Sequence, residues 1–114
     1  MATLTADSIG SYEPDLQEVE IWGGEVYLCP IAGEHLKAVD DANAAHTEGT
    51  ATTLEVATLI LSFTMCNESR EKIFSSPQEA LEILGKKPFP DVMDLLDKAN
   101  DASGFVSVEE LEKN

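Results

Sequence analysis

Thr52-Thr53-Leu54-Glu55-Val56-Ala57-Thr58-Leu59-Ile60-Leu61-Ser62-Phe63-Thr64-Met65-Cys66 is the stretch whose reading decides the fold. Thr52 with Glu55 three residues on makes a capping box, which satisfies N–H groups that a helix start leaves orphaned. At 100° per residue, Leu54, Ala57, Leu61 and Met65 fall on one apolar face of a helix over 54–65. Val56, Leu59, Ile60 and Phe63 fall on a nearly opposite one, and only Glu55, Thr58 and Ser62 form a polar strip between them. A helix apolar on two sides is either wrapped by its own domain or sandwiched between that domain and a partner. At 13 residues, Leu54 to Cys66 is well short of the ~20 needed to cross a bilayer.

Upstream the period changes. Glu18-Val19-Glu20-Ile21-Trp22 and Glu25-Val26-Tyr27-Leu28 alternate strictly about Gly23-Gly24, which predicts a β-hairpin with Val19, Ile21, Val26 and Leu28 on its apolar face. A lone hairpin is marginal, so it must pack on helices or pair with another chain; its open edges make self-association an expectation. Residues 1–15 are small and polar, carry no apolar period, and read as a flexible arm ahead of one domain over 16–114. Pro30 ends the second strand, and 32–45 reads as a helix with Leu36, Val39 and Asn43 along one side and Ala38, Ala42 and Ala45 beside it.

Downstream, Asn67-Glu68-Ser69-Arg70 breaks the central helix and Ile73-Phe74 is a short anchor. Ser76-Pro77-Gln78-Glu79 is a second capping box, with Pro at the first helical position, opening a short helix that ends at Gly85. Residues 86–90 read as a linker, and 91–102 as a helix with Val92, Leu95, Leu96 and Ala99 at spacing i, i+3, i+4, i+7. Gly104 predicts a left-handed cap, and Ser107 with Glu110 a third capping box for a terminal helix over 108–113. The expected fold is mainly α, one domain in which a small N-terminal hairpin precedes four to five short helices.

Charge narrows the function classes. The chain of 114 residues carries 22 acidic residues against 7 basic ones, a formal net charge of −15, with a pI near 4.2. Nucleic-acid binding and docking on anionic membranes both need clustered Lys and Arg, and neither is expected here. Residues 1–69 hold 12 acids against Lys37, whereas 70–114 hold 10 against 6 bases, so close contact with another chain is more favourable in the C-terminal half. Cys29 and Cys66 are too few for a disulfide framework, and the first residues carry no secretory pattern, so a cytosolic chain with reduced thiols is expected.

Motifs of catalysis are absent: no phosphate-binding Gly-rich loop, no nucleophile elbow and no His-Glu metal helix. His35 and His46 are 11 residues apart, ~16 Å along a helix, too far to share a metal. Asp91, Asp94, Asp97 and Asp101 are the solvated face of an amphipathic helix. Residues 99–110 fit a calcium-loop register at Asp101, Ser103, Gly104, Val106, Ser107 and Glu110, but Ala99 stands where the first carboxylate belongs. No enzyme, cofactor or metal is expected; a protein-binding role is.

In order along the chain come the Leu-rich helix ending Cys66-Asn67-Glu68, the anchor Ile73-Phe74-Ser75, a short helix ending Leu84-Gly85-Lys86-Lys87, the helix from Val92 to Ala102 with its Ser103-Gly104 break, and the acidic end Glu109-Glu110-Leu111-Glu112-Lys113-Asn114. This succession resembles the tail assembly chaperones of long-tailed bacteriophages, small acidic proteins encoded just before the tape measure protein, and the hairpin and first helix fit the family's N-terminal half. It departs from the family at Asn67-Glu68-Ser69-Arg70, where relatives have an acidic, Gly-containing turn. The resemblance implies a protein of the host cell cytoplasm, absent from the finished particle. Such a protein keeps the tape measure protein soluble and helps tail tube subunits polymerise around it. Val56, Ile60, Phe63 and Leu96 are the residues expected to touch the client or a neighbouring copy; the competing expectation is that both faces of the central helix are buried in the protein's own core. Two other classes stand as alternatives: a degenerate EF-hand-like calcium module, and an acidic mimic of DNA that blocks a basic DNA-handling protein.

Overall fold

The computed structural model describes residues 3–103. Within them the order is α1 (Ala6–Ser11), β1 (Gln17–Ile21), β2 (Gly24–Leu28), a 3-10 turn at Gly33–His35, α2 (Leu36–Thr47), α3 (Thr53–Thr64), β3 (Met65–Cys66), α4 (Pro77–Leu84) and α5 (Phe89–Ser103). The fold is mainly α with an N-terminal hairpin, as expected. Gly104 and the terminal helix expected over 108–113 lie outside the described residues.

α3 is the axis. Its start is the capping box read from the sequence: the Thr52 hydroxyl accepts from the Glu55 N–H at 3.1 Å and the Glu55 carboxylate accepts from the Thr52 N–H at 3.0 Å. Thr52→Ala is expected to lower stability by about 1 kcal/mol, read as a shift in the urea midpoint at unchanged slope. α2, α4 and α5 all pack against α3. One core joins Val19 and Leu28 of the sheet to Ile60 and Leu61 of α3, Ala80 and Leu84 of α4, and Val92, Leu95 and Ala99 of α5.

The helix ends one residue earlier than expected. Met65 leaves it, and Met65–Cys66 pairs antiparallel with Tyr27 and Leu28, making a three-stranded sheet in the order β1-β2-β3. The hairpin thereby gains both a third strand and a helical layer, the support that a lone hairpin lacks.

The hairpin turn also sits one residue early. Ile21 pairs with Gly24 and Val19 with Val26, so the two-residue turn is Trp22-Gly23, with φ of 52° and 79°. Positive φ at both positions is the turn whose twist matches the flanking strands. Moving the turn by one residue shifts the register by two and leaves every side chain on the same face, so alternation alone does not separate the two pairings. A tryptophan at positive φ is strained by roughly 1–2 kcal/mol. The contacts that offset it are to α5 and to the segment just before it: the indole Nε1–H donates to the Asp91 carboxylate at 3.1 Å, and the Lys87 ammonium lies 5.5 Å from the ring centre.

Four smaller differences have local causes. The arm expected to lack structure holds α1, where Thr5 and Ser8 form a capping box, although none of its residues is buried. On α2 only Val39 is buried; Ala38, Ala42 and Ala45 are half-buried while Leu36 and Asn43 face solvent, so of the expected row Val39 alone faces inward, joined by the small residues beside it. The Ser76 hydroxyl caps α4, but Glu79 reaches back to the N–H and hydroxyl of Ser75 instead of closing the box on Ser76. α5 begins at Phe89 inside the expected linker, because Pro90 falls in the first turn, where no N–H is needed.

Gly85 ends α4 at a right-handed φ of −63°; what it supplies is room. A Cβ there would stand 2.7 Å from the Leu81 carbonyl and 3.6 Å from the Leu54 side chain of α3.

Candidate partner-binding site

The four residues singled out on α3 and α5 separate into two pairs. Ile60 is 5% exposed and Leu96 9%, and both belong to the core. Val56 and Phe63 are half-buried at its margin. The Phe63 ring stacks on His35 with centroids 4.2 Å apart and planes 9° from parallel, and the Phe63 carbonyl accepts from the Lys72 ammonium.

Of the polar strip between the two apolar faces, only Glu55 is exposed. Thr58 and Ser62 are buried, and their hydroxyls donate to the carbonyls of Leu54 (2.9 Å) and Leu59 (2.6 Å), while Thr64 donates to Ile60 at 3.0 Å. Back-bonding to the preceding turn removes the cost of an unpaired hydroxyl, and so the strip can be packed over by neighbouring helices.

The unburied part of α3 opens into a shallow groove of about 230 Å³ between α2 and α4, lined by Ala42, Ala51, Leu59, Pro77 and Leu81 with Glu55 and Gln78 at its polar parts. Leu59 lies beside Val56 and Phe63 on the helical wheel, so its position on this side is in the sequence. The contributions of Ala42 and Leu81 are not, since they depend on how three helices are brought together. Exposed apolar side chains also occur away from the groove: Trp22 and Phe89 near the start of α5, Ile73 after β3, Ile83 on α4, and Leu4, Ile9 and Tyr12 around α1.

The remaining candidate chemistry falls out of the geometry. Ala99, at the first position of the calcium register, is buried in the core; the loop from Gly104 onward lies outside the described residues. Among the described residues no group of three His, Cys, Asp or Glu stands where it could hold a metal ion. His46 bonds the Thr53 hydroxyl at 3.0 Å, far in role from His35 on Phe63. Cys29, directly after β2, and Cys66 on β3 are both free thiols. Burial pushes the Cys66 thiol up, with Cys29 adding to the effect and Lys72 and Arg70 opposing it. Asp94 and Asp97 are solvated as expected, whereas Asp91 is committed to Trp22.

The outer face of the hairpin is the most acidic surface built from strands. Glu20 stands opposite Glu25, and Glu18 opposite Tyr27. A hydrogen bond and the charge of Glu18 both raise the Glu25 carboxyl above its ordinary range, and burial together with Glu18, Glu25 and Glu68 raises the Tyr27 phenol.

No protein-family model and no curated protein sequence matches the chain. Among solved structures, the arrangement of a small antiparallel sheet on four helices is shared with a bacteriophage tail assembly chaperone. That structure is the tail assembly chaperone of bacteriophage HK97: it superposes with a TM-score of 0.60 over 94% of this chain and 91% of that chain, at 19% sequence identity. At that identity the likeness is one of fold, and it is the fold that the sequence resemblance to tail assembly chaperones implies.

Proposed function

We propose that this protein is a tail assembly chaperone of a long-tailed phage, acting in the cytoplasm of the infected host. In this reading it binds the tape measure protein, keeps it soluble, and helps tail tube subunits polymerise around it without entering the finished particle. The observation that carries the reading is the fold shared with the HK97 chaperone over nearly the whole of both chains. The order of sequence features from Ala57 to Asn114 points the same way.

The physical properties suit the task. A tape measure protein is long, helical and rich in apolar surface, and aggregates unless covered. Its holder needs an apolar contact surface and a charge that keeps loaded complexes apart. The groove lined by Leu59, together with half-buried Val56 and Phe63 elsewhere on α3, offers the first, and a net charge of −15 supplies the second. Ile60 and Leu96 belong to the core against which Val56 and Phe63 pack.

Co-expression with the tape measure protein encoded beside it tests the reading. The client is expected in the soluble fraction only when the chaperone is present, and the two are expected to co-purify with little loss between low and high salt, as apolar contact dictates. A client that aggregates equally with and without the chaperone overturns the proposal. Binding to a basic DNA-handling protein, abolished by moderate salt, would replace it with DNA mimicry.

A further inference from the structure

The sheet has one open edge of five residues, β1, and nothing among the described residues pairs with it. Ile21 and Gly24 flank the two-residue turn and form its hydrogen-bonded pair, so Val19 and Gln17 also turn their backbone groups toward β2. The alternation leaves Glu18 and Glu20 with N–H and C=O directed outward, four unpaired backbone groups along the free side. Their side chains are exposed on the outer face, while Val19 between them is buried on the inner one. An edge of this kind is a template for an added strand.

A second copy of this chain is a poor occupant. If two β1 strands meet about Val19, Glu18 lies opposite Glu20 of the other copy; a two-residue slip either way sets Glu18 on Glu18 or Glu20 on Glu20. Like charges directly opposed across strands are destabilising. Glu25 of β2, directly opposite Glu20, adds a third carboxylate next to the pair. The edge is open, yet its charges select against itself.

We infer that β1 is a strand-addition site for an extended partner segment in which Lys or Arg alternates with aliphatic residues. The basic side chains lie over Glu18, Glu20 and Glu25, and the aliphatic residue opposite Val19 extends the inner, core-facing surface of the sheet. The unpaired backbone groups make the site; the carboxylates choose the occupant. This inference stands apart from the tail-assembly reading, and its test uses no tail protein.

The test is fluorescence anisotropy with the full chain and a labelled, capped peptide Thr-Lys-Val-Lys-Val-Lys-Thr. Controls are a scrambled peptide with its lysines and valines in separate blocks, and an acidic peptide with Glu in place of Lys. The alternating basic peptide is expected to bind at least about tenfold more tightly than either control. Amide exchange at Glu18 and Glu20, fast in the free protein, is expected to slow on binding while Val19 changes little. The exposed double variant Glu18→Lys/Glu20→Lys is expected to keep its fold by circular dichroism and exchange preferences, taking the acidic peptide instead. Equal binding of the scrambled peptide, protection that omits Glu18 and Glu20, amides already protected in the free protein, or no binding at millimolar peptide each overturns the inference.

Discussion

Ile60→Asp is expected to leave no folded protein. Ile60 is 5% exposed and sits in the core that joins α3 to the sheet and α5. A carboxylate there loses its water, and the Thr58, Ser62 and Thr64 hydroxyls of α3 are already donating to backbone carbonyls. Unpaired buried charge belongs to the short list of changes that cost more than about 4–5 kcal/mol, comparable to the whole stability of a small domain at roughly 5–15 kcal/mol. Circular dichroism and the urea transition check it. The contrast is Val56→Asp combined with Phe63→Asp: both sites are half-buried at the margin, so this variant is expected to fold and to lose client in the co-expression assay. A folded Ile60→Asp protein would mean that this side of α3 is not held by the core, and would return Ile60 to the contact surface.

Leu61→Ala is expected to cost about 3 kcal/mol, within the ~2–5 range for truncating a fully buried leucine. Leu61 has no solvent exposure and lies in the second half of α3, the helix that α2, α4 and α5 all touch. The residual cavity decides where in the range the cost falls, and here collapse is resisted. Ala57, Ala80, Leu84, Val92 and Leu95, none more than 1% exposed, already fill the core around it, so little free side chain is at hand to close the space. The urea midpoint is expected to fall by about 1–2 M at unchanged slope. A shift under a few tenths of a molar would show that the helices repack freely around α3.

The elements themselves were legible wherever a capping residue or a clean period marked them. Thr52 and Glu55 located α3, Ser76-Pro77 located α4, and the alternation about Gly23 located the hairpin. What escaped reading shares one cause: it depended on a partner distant in sequence. Met65-Cys66 became a strand because β2 was beside it, and Thr58 and Ser62 went inside because neighbouring helices covered them. Phe89 and Pro90 were drawn into α5 although they look like linker. The candidate site was legible to the same extent. A helix apolar on two sides is visible in the sequence, but the wheel places Ile60 only about 40° from Val56, and nothing local says on which side of that margin the core ends.

Trp22 is the only tryptophan in the chain, and its indole is tied to Asp91 and overlaid by Lys87. The molecule therefore carries a built-in optical gauge at the junction between hairpin and α5. Its emission reports whether that seat is closed, while the far-ultraviolet signal reports the helices. A fluorescence change that runs ahead of helix loss during denaturation would mean that the β-ribbon lifts off an otherwise intact bundle.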